Sequence, residues 1–190
     1  MLLTLLAAAA LAVTATPPTE AEWAAISAGS VVVRPAPELT PPGAYAWVEI
    51  EAAPEAIWST LNDPTVAVAA SNAVSSCEAT LDEPTSSGRR IGLHYVLEVA
   101  WTEVEYHVIR DFRPGDGTMT WTLDGSKTND LVSSEGSYVL APGRTPEHTL
   151  LSYASNADSG RNIPQWIQNL LTGKALKKYL GHVQMVAEAR

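Results

Sequence analysis

The apolar residues at the end of the chain constrain the fold more than any other feature. Between residues 163 and 190 they recur at steps of three and four, the spacing that gives a helix one broad apolar face. Pro164 suits the first helical turn, and a bend is expected at 172–174, where the pattern loses phase. A long helix with one apolar face must bury that face, and we expect a sheet to pack against it. The residues of the apolar face are Ile163, Trp166, Ile167, Leu170, Leu171, Leu176, Tyr179, Leu180, Val183 and Val186.

Alternating apolar and polar residues in the middle of the chain predict that sheet. Turn-forming proline and glycine residues separate several of the segments, as at 114–117 and 142–143. The predicted fold is an α+β domain, a curved antiparallel sheet of about seven strands wrapped around the long C-terminal helix. The segments with a strand pattern are 45–51, 76–81, 90–101, 102–112, 118–123, 131–140 and 148–154.

The N-terminal residues have the composition of a secretory leader. Residues 2–13 form an apolar run rich in Leu and Ala, and 13–15 offers a cleavage site of small residues. The run lacks a basic segment before it, so a mis-chosen start codon and a buried helix remain alternatives. We expect a signal peptide at 1–15, an N-terminal extension at 16–44, a single folded domain at 45–190, and a periplasmic or secreted mature protein.

The extension and the first part of the domain show several local signals. Thr19 and Glu22 have the spacing of a capping box, which predicts a short helix ending at Gly29. A short strand is expected at 31–33, and the four prolines within 34–43 predict irregular structure after it.

The segment that follows begins with a strand and a helix. Residues 45–51 alternate in the manner of a half-buried strand. Pro54 begins a short amphipathic helix that is expected to end at 62–64, with a loop after it.

Composition excludes several functional classes. The 190-residue chain has a formal net charge of −9, which argues against binding to nucleic acid or to anionic lipid by charge. A single cysteine, Cys77, permits no internal disulfide. Glycine-rich phosphate loops and nucleophile-elbow motifs are absent from the sequence, so no cofactor and no catalytic residue is predicted.

Two stretches resemble the START-like superfamily, also called SRPBCC. Residues 52–58 (AAPEAIW), followed by 61–63 (LND), are similar to its first strand-to-helix junction. Tyr153, then 158–160 (DSG) and 163–169 (IPQWIQN), resemble the signature at the start of the last helix in lipid-transfer members. The superfamily includes steroidogenic-acute-regulatory-related lipid-transfer domains, coenzyme Q-binding proteins and polyketide cyclases, and the resemblance implies a helix-grip fold.

A helix-grip fold implies a cavity between sheet and helix, lined by inward side chains. An aromatic lining with polar tips suits sterol-like, quinone-like or acyl ligands. The alternative is that the same side chains meet and form a solid core. Transient contact with a membrane would serve ligand exchange, and the oligomeric state is not predicted. The inward candidates are Tyr95, Leu97, Trp101, Tyr106, Met119, Trp121, Tyr138, Tyr153, Trp166 and Leu170.

Arg110 has the same strand parity as the inward residue Tyr106. An inward arginine can hold a carboxylate or phosphate head. The interpretation favoured from sequence is an ion pair with Asp111, with Glu135 or with the helix.

His94 and His107 are expected to lie opposite each other on neighbouring strands, near Glu98 and Glu103. Two histidines and two carboxylates are ligands that zinc accepts. Their parity is opposite to that of the apolar face, and spacing fixes no third ligand. No metal site is therefore predicted.

Two functions from different classes remain open. The first is a non-catalytic binder or carrier of a hydrophobic small molecule such as a lipid, sterol or quinone. The second is an enzyme resembling polyketide cyclases and dehydratases, with an inward Tyr, Arg or Glu as acid or base. Export favours the binder, whereas an ionisable pair within reach of a ligand favours the enzyme. A weaker third hypothesis is a protein-interaction module built on residues 20–42.

Overall fold

The computed structural model describes residues 13–99, 102–160 and 173–190. In these ranges eight strands form a single curved antiparallel sheet, which confirms the predicted fold. Its spatial order is β1-β2-β8-β7-β6-β5-β4-β3. The strands are β1 (Val32–Ala36), β2 (Gly43–Ile50), β3 (Val74–Thr85), β4 (Gly88–Val99), β5 (Thr102–Arg113), β6 (Thr118–Leu123), β7 (Ser133–Pro142) and β8 (Thr149–Asp158).

Helices flank the sheet at both ends of the chain. Thr19 and Glu22 form the predicted capping box, which confirms that signal. The first part of the predicted C-terminal helix, including Pro164, lies outside the described residues. In the part of the chain that the structure describes, no helix is long and apolar enough to cross a membrane. Within the described residues the helices are α1 (Glu20–Ile26), α2 (Pro54–Leu61), α3 (Pro64–Ala70) and α4 (Lys174–Glu188), and a 3-10 turn spans Pro114–Asp116.

Three prolines belong to strands or a helix that the sequence pattern did not extend to them. Pro35 lies inside β1 and Pro84 inside β3, the two strands at the edges of the sheet. An edge strand leaves one side of its backbone unpaired, so it tolerates a residue without an N–H. Pro64 does not lead into a loop but begins α3, where the Asp63 side chain accepts a hydrogen bond from the Thr65 N–H at 3.1 Å.

The concave face of the sheet packs against α4, as the apolar stripe predicts. Leu180 and Val183 are fully buried there, in one cluster with Ala46, Val48 and Leu151 of the sheet. The helix backbone lies close to β1, β2, α2 and α3. Packing is therefore tight along one side of the sheet.

The outer face of β2 is also buried, so the expectation of a half-buried strand was wrong. Tyr45 and Trp47 point away from α4 and pack against Ile26 of α1. The Arg34 guanidinium lies over the Trp47 ring, 4.6 Å from its centroid, and forms an ion pair with Glu22 at 2.8 Å. The N-terminal extension thus supplies the cover for this face.

Glu49 is a buried carboxylate that fixes the turn between β7 and β8. Its side chain accepts hydrogen bonds from the backbone N–H of Arg144 and of Thr145, and from the Thr145 hydroxyl at 2.8 Å. Burial alone would raise the pKa of Glu49, but these hydrogen bonds outweigh it and lower that pKa below its ordinary value of 4.5. The absence of a side chain at Gly143 leaves space for the Glu49 carboxylate, since a Cβ at this position would lie 2.7 Å from it.

Replacing Glu49 by Gln is expected to lower the free energy of unfolding by about 1–3 kcal/mol at pH 7, because a charged acceptor of three hydrogen bonds is lost. Urea unfolding of Glu49→Gln and of the exposed control Glu51→Gln measures the difference.

A group whose pKa is lower in the folded state stabilises the fold above its unfolded pKa, and this contribution is lost as the pH falls through the folded pKa. The gap between wild type and Glu49→Gln should therefore narrow on acidification below the ordinary value of 4.5. Equal stability of the two proteins at pH 7 would contradict this account of the turn.

Candidate functional site

A cavity of about 170 Å³ lies between the concave face of the sheet, α3 and the first turn of α4. It is only partly enclosed, and most of its wall is apolar. The described residues that line it are Ala67, Ser71, Val74, Tyr95, Leu97, Tyr106, Val108, Arg110, Trp121, Leu131, Ser134, Tyr138, Tyr153, Ser155, Ala157, Ala175, Leu176 and Tyr179.

Strand register brings the aromatic residues of the wall together in pairs. Tyr95 and Tyr106 face each other across β4 and β5, and their rings stack with centroids 5.1 Å apart. Tyr138 and Tyr153 face each other across β7 and β8 with centroids 5.3 Å apart. Trp121 lies 5.1 Å from the Tyr138 ring. These side chains, together on the concave face, form the aromatic floor of the cavity across the middle strands.

Gly136 makes room for Trp121 on that floor. The two residues are cross-strand partners, and the indole lies over the glycine. A Cβ on Gly136 would come within 2.3 Å of the Trp121 ring and 2.4 Å of the Ala154 carbonyl oxygen. The glycine is therefore needed for the position of the indole.

Arg110 is the charged group of the cavity, and the structure corrects the ion pair favoured from sequence. Its guanidinium donates hydrogen bonds to the Leu61 carbonyl oxygen and to the Tyr95 hydroxyl, both at 2.8 Å. Asp111 pairs instead with Arg90 at 2.9 Å, and Glu135 accepts a hydrogen bond from Asn156 at 3.1 Å. Asp111 cannot face Arg110 because adjacent residues of a strand point to opposite faces.

Burial keeps the tyrosine hydroxyls of the wall protonated. It raises the pKa of Tyr153 to about 12 and holds those of Tyr95 and Tyr138 well above the ordinary value. Burial likewise raises the pKa of the Cys77 thiol, which lies behind Tyr95 on the neighbouring strand. At neutral pH the cavity offers neutral hydroxyl donors and one fixed positive charge.

The structure places most of the predicted site residues on the cavity wall. Met119 is fully buried in the packed core instead. Trp101, Trp166 and Leu170 lie outside the described residues. The predicted residues found on the wall are Tyr95, Leu97, Tyr106, Arg110, Trp121, Tyr138 and Tyr153.

Several wall residues escaped the sequence analysis. Ala67 and Ser71 belong to α3 or its end, which was taken for a loop. Ser155 and Ala157 continue the inward parity of Tyr153, but their small side chains carry no aromatic or apolar signal. Tyr179 was on the predicted helix stripe and could have been included.

His94 and His107 lie opposite each other, as predicted, on the outer face of β4 and β5. Their rings are stacked with centroids 4.3 Å apart, and His94 Nε2 is 3.5 Å from a carboxylate oxygen of Glu105. Among the described residues no group of three or more His, Cys, Asp or Glu side chains is placed to hold a metal ion.

Comparison of whole structures relates this architecture to known proteins. Human STARD10 superposes with a TM-score of 0.63 at 13% sequence identity, covering 92% of this chain and 81% of that one. A STAR-related lipid transfer protein from Xanthomonas axonopodis gives a TM-score of 0.59 at 15% identity, covering 82% of this chain and 92% of that one. This chain has the START-like fold.

The same fold also serves enzymes. The Zhui aromatase/cyclase from Streptomyces sp. R1128 superposes with a TM-score of 0.57 at 14% identity, covering 84% of this chain and 96% of that one. No protein-family model matches the sequence, and no curated protein does either. At such identities the comparisons establish the START-like fold and leave the activity to be argued from the cavity.

Changing Gly136 to Ala is expected to displace Trp121, because the new methyl group would overlap the indole. The near-ultraviolet circular dichroism signal of the aromatic floor should change, and stability should fall by about 1–3 kcal/mol. Gly125→Ala is the matched control, since a Cβ at Gly125 meets no atom within 4 Å. An unchanged aromatic spectrum for Gly136→Ala would show that the indole does not depend on this glycine.

Proposed function

We propose that the protein binds and carries a hydrophobic small molecule in this cavity without transforming it. The observation that carries the proposal is the cavity of about 170 Å³ that the aromatic floor borders beside α3 and α4. Concave apolar sites with a few polar groups are the usual form of small-molecule sites. STARD10 and the Xanthomonas lipid transfer protein share the fold.

The cavity size limits the ligand. A volume of about 170 Å³ is close to that of cavities of about 150 Å³ that hold one benzene molecule. A single ring or a short acyl chain therefore fits inside, and a longer molecule extends through the open side. Burying roughly 300 Å² of apolar ligand surface contributes about 7 kcal/mol before the entropic cost of association. Apolar contact alone is thus expected to give micromolar affinity at best.

Filling the cavity tests the proposal. Ala157→Trp adds a large side chain to the wall, whereas Thr122→Trp adds the same side chain at an exposed position of β6. A fluorescent fatty-acid probe should bind wild type and Thr122→Trp saturably, and Ala157→Trp at least tenfold more weakly with its circular dichroism spectrum retained. Ala154→Trp would not fill the cavity, because Ala154 packs with Trp47 on the outer face of the sheet.

If a panel of acyl, sterol and quinone probes shows no saturable binding to wild type, the carrier function is wrong. If a bound molecule is recovered from the protein with an altered mass after incubation, the protein is an enzyme and not a carrier.

The enzyme hypothesis has one specific observation in its favour. Arg110 and Tyr95 form a hydrogen-bonded pair on the cavity wall, able to polarise a carbonyl group. The raised pKa of Tyr95 prevents it from acting as a base at neutral pH. A ring-closing reaction needs a proton acceptor as well as a donor, so the described cavity suits binding better than cyclisation.

We further propose that the mature protein is exported. The apolar run at 2–13 and the small residues after it support this. N-terminal sequencing of protein from its native host should find a first residue near position 16. Recovery of the intact Met1 end from a soluble cytoplasmic fraction would contradict export.

A further inference from the structure

The guanidinium of Arg110 is a buried positive charge without a counter-charge in the protein. The residue is 6% exposed, and both acceptors of its hydrogen bonds, the Leu61 carbonyl and the Tyr95 hydroxyl, are neutral. Within the described ranges no carboxylate lies within 4 Å of it and its Nε–H finds no acceptor. Residues 1–12, 100–101 and 161–172 contain no Asp or Glu at all. The chain therefore has no anion to offer this site.

An unpaired buried charge is costly, since water is removed and no opposite charge replaces it. The other ionisable groups around the guanidinium do not supply one. Tyr95 and Tyr138 share the cavity wall with it, and burial raises the pKa of both hydroxyls, so they are neutral at pH 7. An anion from outside the protein can reach the guanidinium through the cavity that Arg110 lines.

We propose that the ligand is an acidic amphiphile whose head, a carboxylate or a phosphate monoester, binds Arg110 while its apolar part lies on the aromatic floor. This rests on the proposed function and names the class of ligand. Only two of the five guanidinium N–H groups are engaged in the described structure. Tyr95 accepts one of these bonds through its neutral hydroxyl. The head thus meets a charged donor and a neutral hydroxyl in one place.

The size and the lining of the cavity restrict the apolar part. Trp121, Tyr138, Tyr153 and Leu176 form the wall beyond the charged end. About 170 Å³ holds one chain or one ring beside the head, and not the two acyl chains of a phospholipid. A single-chain acid or a small ring acid is the ligand that this geometry favours.

Calorimetric titration of delipidated full-length protein with four ten-carbon probes tests the inference. The probes are decanoic acid, decyl phosphate, decanol and methyl decanoate, at pH 7.5. At least one of the two acidic probes should bind about tenfold or more tightly than decanol and the ester, because a charge-assisted hydrogen bond replaces a neutral one. The tighter of the two acids identifies the head.

Arg110→Gln should remove the preference for the acidic probe over decanol. Arg113→Gln, a change at the exposed end of the same strand, is the matched control and should keep the preference. Equal affinity of acid and alcohol for wild type would overturn the inference and leave the apolar carrier function standing. Binding of none of the four probes would overturn both.

A measurement on the wild-type protein alone keeps the inference testable if Arg110→Gln does not fold. Decanoic acid labelled with carbon-13 at the carboxyl group reports its own ionisation by NMR. The positive charge of Arg110 should hold the bound carboxyl ionised at a pH where the free acid is protonated, so its pKa should fall by about one unit or more. A bound carboxyl with an unchanged or raised pKa would contradict contact with the guanidinium.

Discussion

The position of α4 against β2 determines where the protein is solid and where it is hollow. Ala44 and Ala46 present small side chains on the concave face of β2, so the helix lies close to the sheet there. Farther across the sheet, side chains including Tyr95, Tyr106, Trp121 and Tyr138 line the concave face around the cavity. The cavity is the space that these side chains do not fill. A packed edge and a hollow centre thus follow from one docking arrangement.

The inward residues of the central strands could be predicted because alternation leaves no freedom once the register is known. Tyr95 and Tyr106 share a face in the sequence pattern, and the tight connection between β4 and β5 forces them to be partners. The helix stripe containing Leu180 and Val183 was equally clear. Arg110 was placed inward correctly by the same parity, and that parity also excludes Asp111 as its partner. Its actual acceptors, the Leu61 carbonyl and the Tyr95 hydroxyl, could not be predicted. The pairing of Asp111 with Arg90 depends on which face of β5 each side chain occupies and on the neighbouring strand.

Other features depend on tertiary structure that local patterns do not contain. Pro64 breaks the helical pattern of α2, yet the same residue begins α3 because Asp63 caps the new helix. The second buried face of β2 arises from α1, which is distant in sequence from the strand it covers. The small wall residues Ser155 and Ala157 carry no composition signal, because what makes them part of a site is the space in front of them.

The prolines of β1 and β3 have a consequence for the behaviour of the protein at high concentration. An exposed sheet edge is a template on which a second molecule can add a strand and start a polymer. Pro35 removes a donor from one edge and Pro84 from the other, and Asp82 and Glu83 add charge beside the second. Each edge therefore interrupts the ladder that an incoming strand would extend. The sheet borders a cavity on its concave face, and both of its edges carry residues that oppose the addition of a strand from a second copy.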